Sequence, residues 1–209
     1  MKKKLLSLVL AGAMVASTSV SAFATTDTVV KENNGTANVE MEGFVYSNGG
    51  DAPSGTISVS IPTSLQFQVS KEGKLTGTSI NVVNNGLDEV EIVADNFEDN
   101  NPNGGIKVKT KQDLQEGSDD RSNVVLWIQG KGEKNAYFKS DENGKNGIYN
   151  EEGVNQPQGI TISKLSGKNG SSNSDELQLK GYAGTEELSD SNAISDQFTL
   201  RLKVKKVGA

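Results

Sequence analysis

Carboxylates, amides and amines are the side chains through which this chain can do chemistry, for 27 acidic and 21 basic residues stand beside no histidine and no cysteine. Nucleophile–base pairs built on His or Cys, the usual zinc ligand sets and thiol redox chemistry are thereby excluded. The stretch Asp95-Asn96-Phe97-Glu98-Asp99-Asn100-Asn101 and the pair Asp119-Asp120 carry oxygen ligands of the kind calcium takes. Neither has the spacing of an EF-hand loop, and clustered Asp and Asn are ordinary turn formers, so both read as solvated turns. Glu151-Glu152 and Glu186-Glu187 offer paired carboxyls, but glycoside hydrolysis needs two carboxyls across a cleft, and adjacent acids in polar segments read as solvated. No catalytic, metal-binding or cofactor-binding residue is expected, and no cofactor.

Two further groups of residues carry chemical content. Trp127, the single tryptophan, lies in Val124-Val125-Leu126-Trp127-Ile128, where both faces of a strand are apolar; this reads as a buried central strand. A sugar-stacking platform would present several exposed aromatics, and Tyr46, Tyr137, Tyr149 and Tyr182 are scattered along the chain. A cross-link between a lysine amine and an Asn, Asp or similar side chain is the second, because an exported β-domain without cysteine has no disulfides. That chemistry needs a lysine neutralised by burial beside a carboxyl that shuttles protons. With many Lys and Asn present, the sequence singles out no pair.

The elements that must position these residues are strands. Ile57, Val59 and Ile61 alternate with Ser58 and Ser60 before Pro62, and Leu65, Phe67 and Val69 alternate with Gln66, Gln68 and Ser70. Residues 78–84 and 89–97 flank Asn85-Gly86, a pair that tolerates positive φ and predicts a tight hairpin between them. Further strands are expected at 37–46, 106–110, 123–129, 136–139, 160–163, 176–182 and 197–207. In the last of these Phe198, Leu200, Leu202 and Val204 face inward while Arg201, Lys203 and Lys205 form a basic ridge, as on a charge-protected edge. Repeated Asn-Gly pairs punctuate the strands, and helix is scarce, since neither 111–117 nor 185–196 has an apolar stripe. The expected fold is mainly β: an antiparallel, jelly-roll-like β-sandwich.

Lys2, Lys3 and Lys4, the apolar run from Leu5 to Val15, and Ala22-Phe23-Ala24 have the order of a signal peptide cleaved after Ala24. The expected organisation is a signal peptide (1–24), a polar N-terminal arm (25–36) and one sandwich domain (37–209) with a loop-rich insertion at 141–158. Processing leaves 18 of the 21 basic residues against all 27 acidic ones, a formal charge of −9. That balance argues against nucleic acid and anionic lipid as partners. The C-terminus, Val204-Lys205-Lys206-Val207-Gly208-Ala209, shows no sortase signal, so release or non-sortase retention at the surface is expected.

The lysine-led leader, the segment Ile57-Ser58-Val59-Ser60-Ile61-Pro62-Thr63-Ser64-Leu65-Gln66-Phe67, the residues 80–86 with 89–93, and the closing strand from Phe198 to Val204 together resemble small secreted β-sandwich proteins of Gram-positive bacteria. Among these the chain most resembles biofilm surface-layer and matrix fibre proteins of the clostridial BsaA and bacillar TasA kind. It departs from the bacillar group at Ala22-Phe23-Ala24-Thr25-Thr26-Asp27, a loose echo of that group's Ala-Phe-x-Asp junction. The resemblance implies a non-enzymatic, extracellular, self-assembling fibre subunit whose partner is itself, with Thr25, Thr26, Asp27, Thr28, Val29, Val30 and Lys31 as a segment lent to the neighbouring subunit's sheet. Strand addition draws affinity from main-chain hydrogen bonds, so a polar arm with Val29 or Val30 as anchor is chemically sufficient. The alternative is a secreted module that binds cell-wall or matrix polysaccharide.

Overall fold

A computed structural model describes residues 28–30, 36–40, 57–70, 72–101, 103–115, 117–140, 146–188 and 194–207. The leader with Ala22 and Ala24, and the arm residues Thr25, Thr26, Asp27 and Lys31, lie outside the described residues. Among the described residues every regular element is a strand.

The larger sheet has eight strands. In spatial order they are β1 (Thr28–Val30), β3 (Val59–Ile61), β6 (Ser79–Asn84), β13 (Ser174–Ala183), β9 (Asn123–Gln129), β10 (Ala136–Lys139) and β11 (Gly147–Tyr149), with β8 (Lys107–Val108) added parallel to the start of β9. Their remaining pairings are antiparallel, and the sheet curls into a half-barrel. Against it packs a four-stranded antiparallel sheet ordered β12 (Ile160–Leu165), β7 (Val90–Asp99), β14 (Phe198–Lys206) and β2 (Thr36–Glu40). A two-stranded ribbon, β4 (Phe67–Val69) and β5 (Leu75–Gly77), leans on β13.

Alternation makes this sandwich. Along β14 Phe198, Leu200, Leu202 and Val204 are all buried, as the inward face requires. Phe97 bridges the layers: its ring stacks on Phe138 of the larger sheet at 4.7 Å and on Phe198 at 5.4 Å. Burying each such ring contributes roughly 1.5–3 kcal/mol.

Three expectations need correction. Asn85-Gly86 does not close a hairpin: β6 pairs with β3 and β13, β7 with β12 and β14, so the turn is an arch between sheets. The cause is Asn84, whose fully buried side chain organises the bend. Its amide donates to the carbonyls of Asp88 (2.7 Å) and Ser166 (2.9 Å), and its oxygen accepts from the Gly86 N–H. The Asn85 and Gly86 N–H groups both turn back to the Ser58 carbonyl, and Gly86 is not among the glycines with positive φ.

The 141–158 segment is not all surface loop. Gly147–Tyr149 is a strand, β11, and Ile148 and Tyr149 are buried because each has a sheet partner in β10. Lastly, β14 is not an edge: it lies between β7 and β2, and Arg201 of the basic ridge pairs with Asp95 at 2.7 Å.

Candidate functional site

Along β9, Val124, Leu126 and Ile128 point into the core, so Val125, Trp127 and Gln129 stand on the outer face of the larger sheet. Cross-strand register then decides their neighbours. Tyr137 and Lys180 lie directly opposite Trp127 on the two flanking strands, Tyr182 lies opposite Val125, and Tyr149 opposite Tyr137. Trp127 is thus 5.3 Å from the Tyr137 ring and 6.3 Å, edge-on, from that of Tyr182. The sole tryptophan and three of the four tyrosines form one outer cluster; Tyr46 lies outside the described residues. β9 is the central strand with apolar residues buried on both faces that its sequence predicts, although Trp127 itself is half-buried on the outer face rather than in the core.

One side of the cluster is roofed. The loop 109–119 lays Leu114 on it; the Lys109–Asp119 pair, 2.7 Å, closes the loop on itself, and Lys139–Asp113 at 2.7 Å and Lys111–Glu151 at 2.8 Å fasten it to its neighbours. The Lys139 ammonium donates to Asp113 and holds its carboxyl below the usual range, and Lys109 does the same for Asp119. Lys139 also stands 5.8 Å from the centre of the Tyr149 ring. Under this roof Tyr137 is only 3% exposed and Tyr149 only 8%, which leaves Trp127 and Tyr182 as the accessible members.

The other side is open. Between β5 and Trp127 runs a groove of about 480 Å³ across the outer face of β13, whose lining includes Lys74, Thr76, Ser79, Trp127, Gln178 and Lys180. Gly77 lets β5 come close enough to form its wall, since a Cβ there would stand 2.2 Å from the Leu179 carbonyl oxygen. The Ser79 hydroxyl is taken up by Glu176. Trp127 turns its indole N–H to Gln129 at 3.3 Å.

No protein-family model, curated protein or solved structure matches this chain.

The acidic candidates are used locally. Asp95 pairs with Arg201, Asp99 accepts from the Asn101 N–H, and Asp120 accepts from the N–H and hydroxyl of Ser122. Burial, reinforced by Asp196 nearby, raises the Asp99 carboxyl above its ordinary value despite the Asn101 hydrogen bond. Among the described residues no three acidic side chains gather as metal ligands would. Glu151 is held by Lys111, and Glu187 lies 3.9 Å from Arg121. The polar side chains buried among the described residues are Ser58, Asn84, Thr110, Ser140 and Ser163, so none is the buried lysine that a cross-link needs.

Of the arm residues singled out from sequence, Thr28, Val29 and Val30 form β1, paired antiparallel with β3 in the register Thr28↔Ile61, Val29↔Ser60 and Val30↔Val59. Sequence reasoning undervalued the outer aromatic cluster. The signal was there in Val125 and Trp127 sharing one strand face, but its partners sit on three other strands whose register no local pattern reveals.

Proposed function

We propose that this chain is a non-enzymatic extracellular structural protein, a self-assembling surface or biofilm fibre subunit that polymerises by lending its N-terminal strand to the next copy. The observation that carries this reading is the pairing of Thr28–Val30 with β3 at the outer edge of the larger sheet. The strand is three residues long and comes from the start of the described chain, so the main-chain bonds it makes within one subunit are the same bonds it would make with another. Exchange of an identical element costs little enthalpy and gives a head-to-tail contact that need not close, which is the geometry of a filament.

The register supplies the test. Val29 and Ser60 are direct cross-strand partners and the chain has no cysteine of its own, so the double variant Val29→Cys/Ser60→Cys reports which copy's strand fills the edge. Oxidised under assembling conditions, it is expected to give a reducible ladder on a denaturing gel, with neither single variant giving more than a dimer. If only the intramolecular disulfide forms while fibres grow, donation of this strand is not the mechanism.

A further inference from the structure

The outer groove invites a ligand that the assembly reading does not require. Its composition runs against that of the whole chain: in a sequence with 27 acidic and 21 basic residues, the groove's side chains include Lys74 and Lys180 and no carboxylate. Neither lysine enters an ion pair among the described residues, and the Gln178 amide and Thr76 hydroxyl have no hydrogen-bond partner there either. Two cations and two neutral polar groups thus face an open trough whose far wall is the half-buried Trp127 ring. The ring packs against Tyr137 and, edge-on, against Tyr182, which restricts its orientation before anything binds.

We infer that this groove is a binding site for an acidic polysaccharide, a chain of pyranose rings carrying anionic groups. The C–H face of a pyranose packs on an indole as other apolar surfaces do, hydroxyls suit Gln178 and Thr76, and carboxylates suit the two ammonium groups. The site is open rather than closed, which admits an internal stretch of polymer and does not demand a chain end. Such a ligand would join a fibre to a matrix without involving either sheet edge, so the inference stands apart from strand donation.

Because the chain has one tryptophan, its fluorescence reports this groove directly. The mature chain, residues 25–209, is titrated with an alginate hexasaccharide, with cellohexaose, which has the ring faces without the charge, and with polyphosphate, which has charge without ring faces. The alginate oligomer is expected to change Trp127 emission and to bind at least about tenfold more tightly than either control. The variant Lys74→Ser/Lys180→Ser, altered at one exposed and one half-exposed position and retaining the tryptophan, is expected to weaken alginate by at least about tenfold. Equal binding of cellohexaose or polyphosphate, unchanged affinity in the double variant, or alginate binding that leaves the emission unaltered would each overturn the assignment, as would no binding at all.

Discussion

Asp113 and Asp119 decide whether the loop 109–119 stays on the aromatic cluster, because Asp113 anchors it to β10 through Lys139 and Asp119 closes it on Lys109 at its own start. Both carboxyls are held below the ordinary value of 3.8 by those lysine hydrogen bonds. A depressed carboxylate contributes stability above its unfolded pKa, and the contribution is lost as pH falls through the folded one. Asp99 acts in the opposite sense: burial raises its pKa, so its contribution is present at low pH and fades as pH rises through the raised value. Asp113 is 45% exposed, so solvent screening limits such a pair to at most about 1 kcal/mol. Acidification from about pH 6 to below 3.8 is therefore expected to loosen the loop before the sandwich unfolds, seen as a red shift of Trp127 emission at unchanged far-ultraviolet circular dichroism. In Asp119→Asn part of that shift should already be present at neutral pH. A coincident loss of both signals on acidification would mean that the loop is not a separate unit.

At the scale of elements, the arch between β6 and β7 depends on one side chain. Asn84→Ala leaves the Asp88 and Ser166 carbonyls without their donor in a partly buried corner, and each such orphan costs about 1–3 kcal/mol, so a loss of roughly 2–3 kcal/mol in urea denaturation is expected. Asn84→Asp keeps the shape but cannot donate to two carbonyls, and should be at least as damaging. An unchanged urea midpoint in both variants would refute this account of the bend. The arch also shows what the sequence made legible. Period-two patterning placed β9 and β10 to the residue and the inward face of β14 correctly, because alternation reports a local property of each strand. It could not assign strands to sheets. Asn-Gly between two good strands favours a hairpin locally, and only the tertiary burial of Asn84 reverses that preference. β11 escaped notice for a related reason: three residues in a polar stretch carry too short a pattern, and Tyr149 is fixed by its pairing with Tyr137.

For the whole molecule, the N-terminal residues sit at outer positions of both sheets. β1 covers the edge of β3 in the larger sheet, β2 covers the edge of β14 in the smaller, and only residues 31–35 separate them in sequence. The two strands are not equivalent. β1 holds three residue pairs and β2 five, so β1 is the easier to release and the better candidate for exchange. Deleting Thr25 to Gly35 removes β1 and leaves β2 on β14. With net hydrogen-bond contributions of about 1 kcal/mol each, the fold should survive with a modest fall in stability, about 1–3 kcal/mol. Such a protein still offers an open β3 edge but has nothing to donate, so it should stay monomeric alone and act as a chain terminator when mixed with intact subunits, shortening fibres in proportion to its share. Deleting through Glu40 is a different lesion. It uncovers both edges, and exposed edges pair without register, so irregular aggregates are expected in place of fibres. The contrast separates loss of a donor from general edge exposure. If the shorter deletion instead assembles at the same rate and to the same width as a protein of residues 25–209, residues 25–35 are only a spacer, and assembly proceeds through another surface.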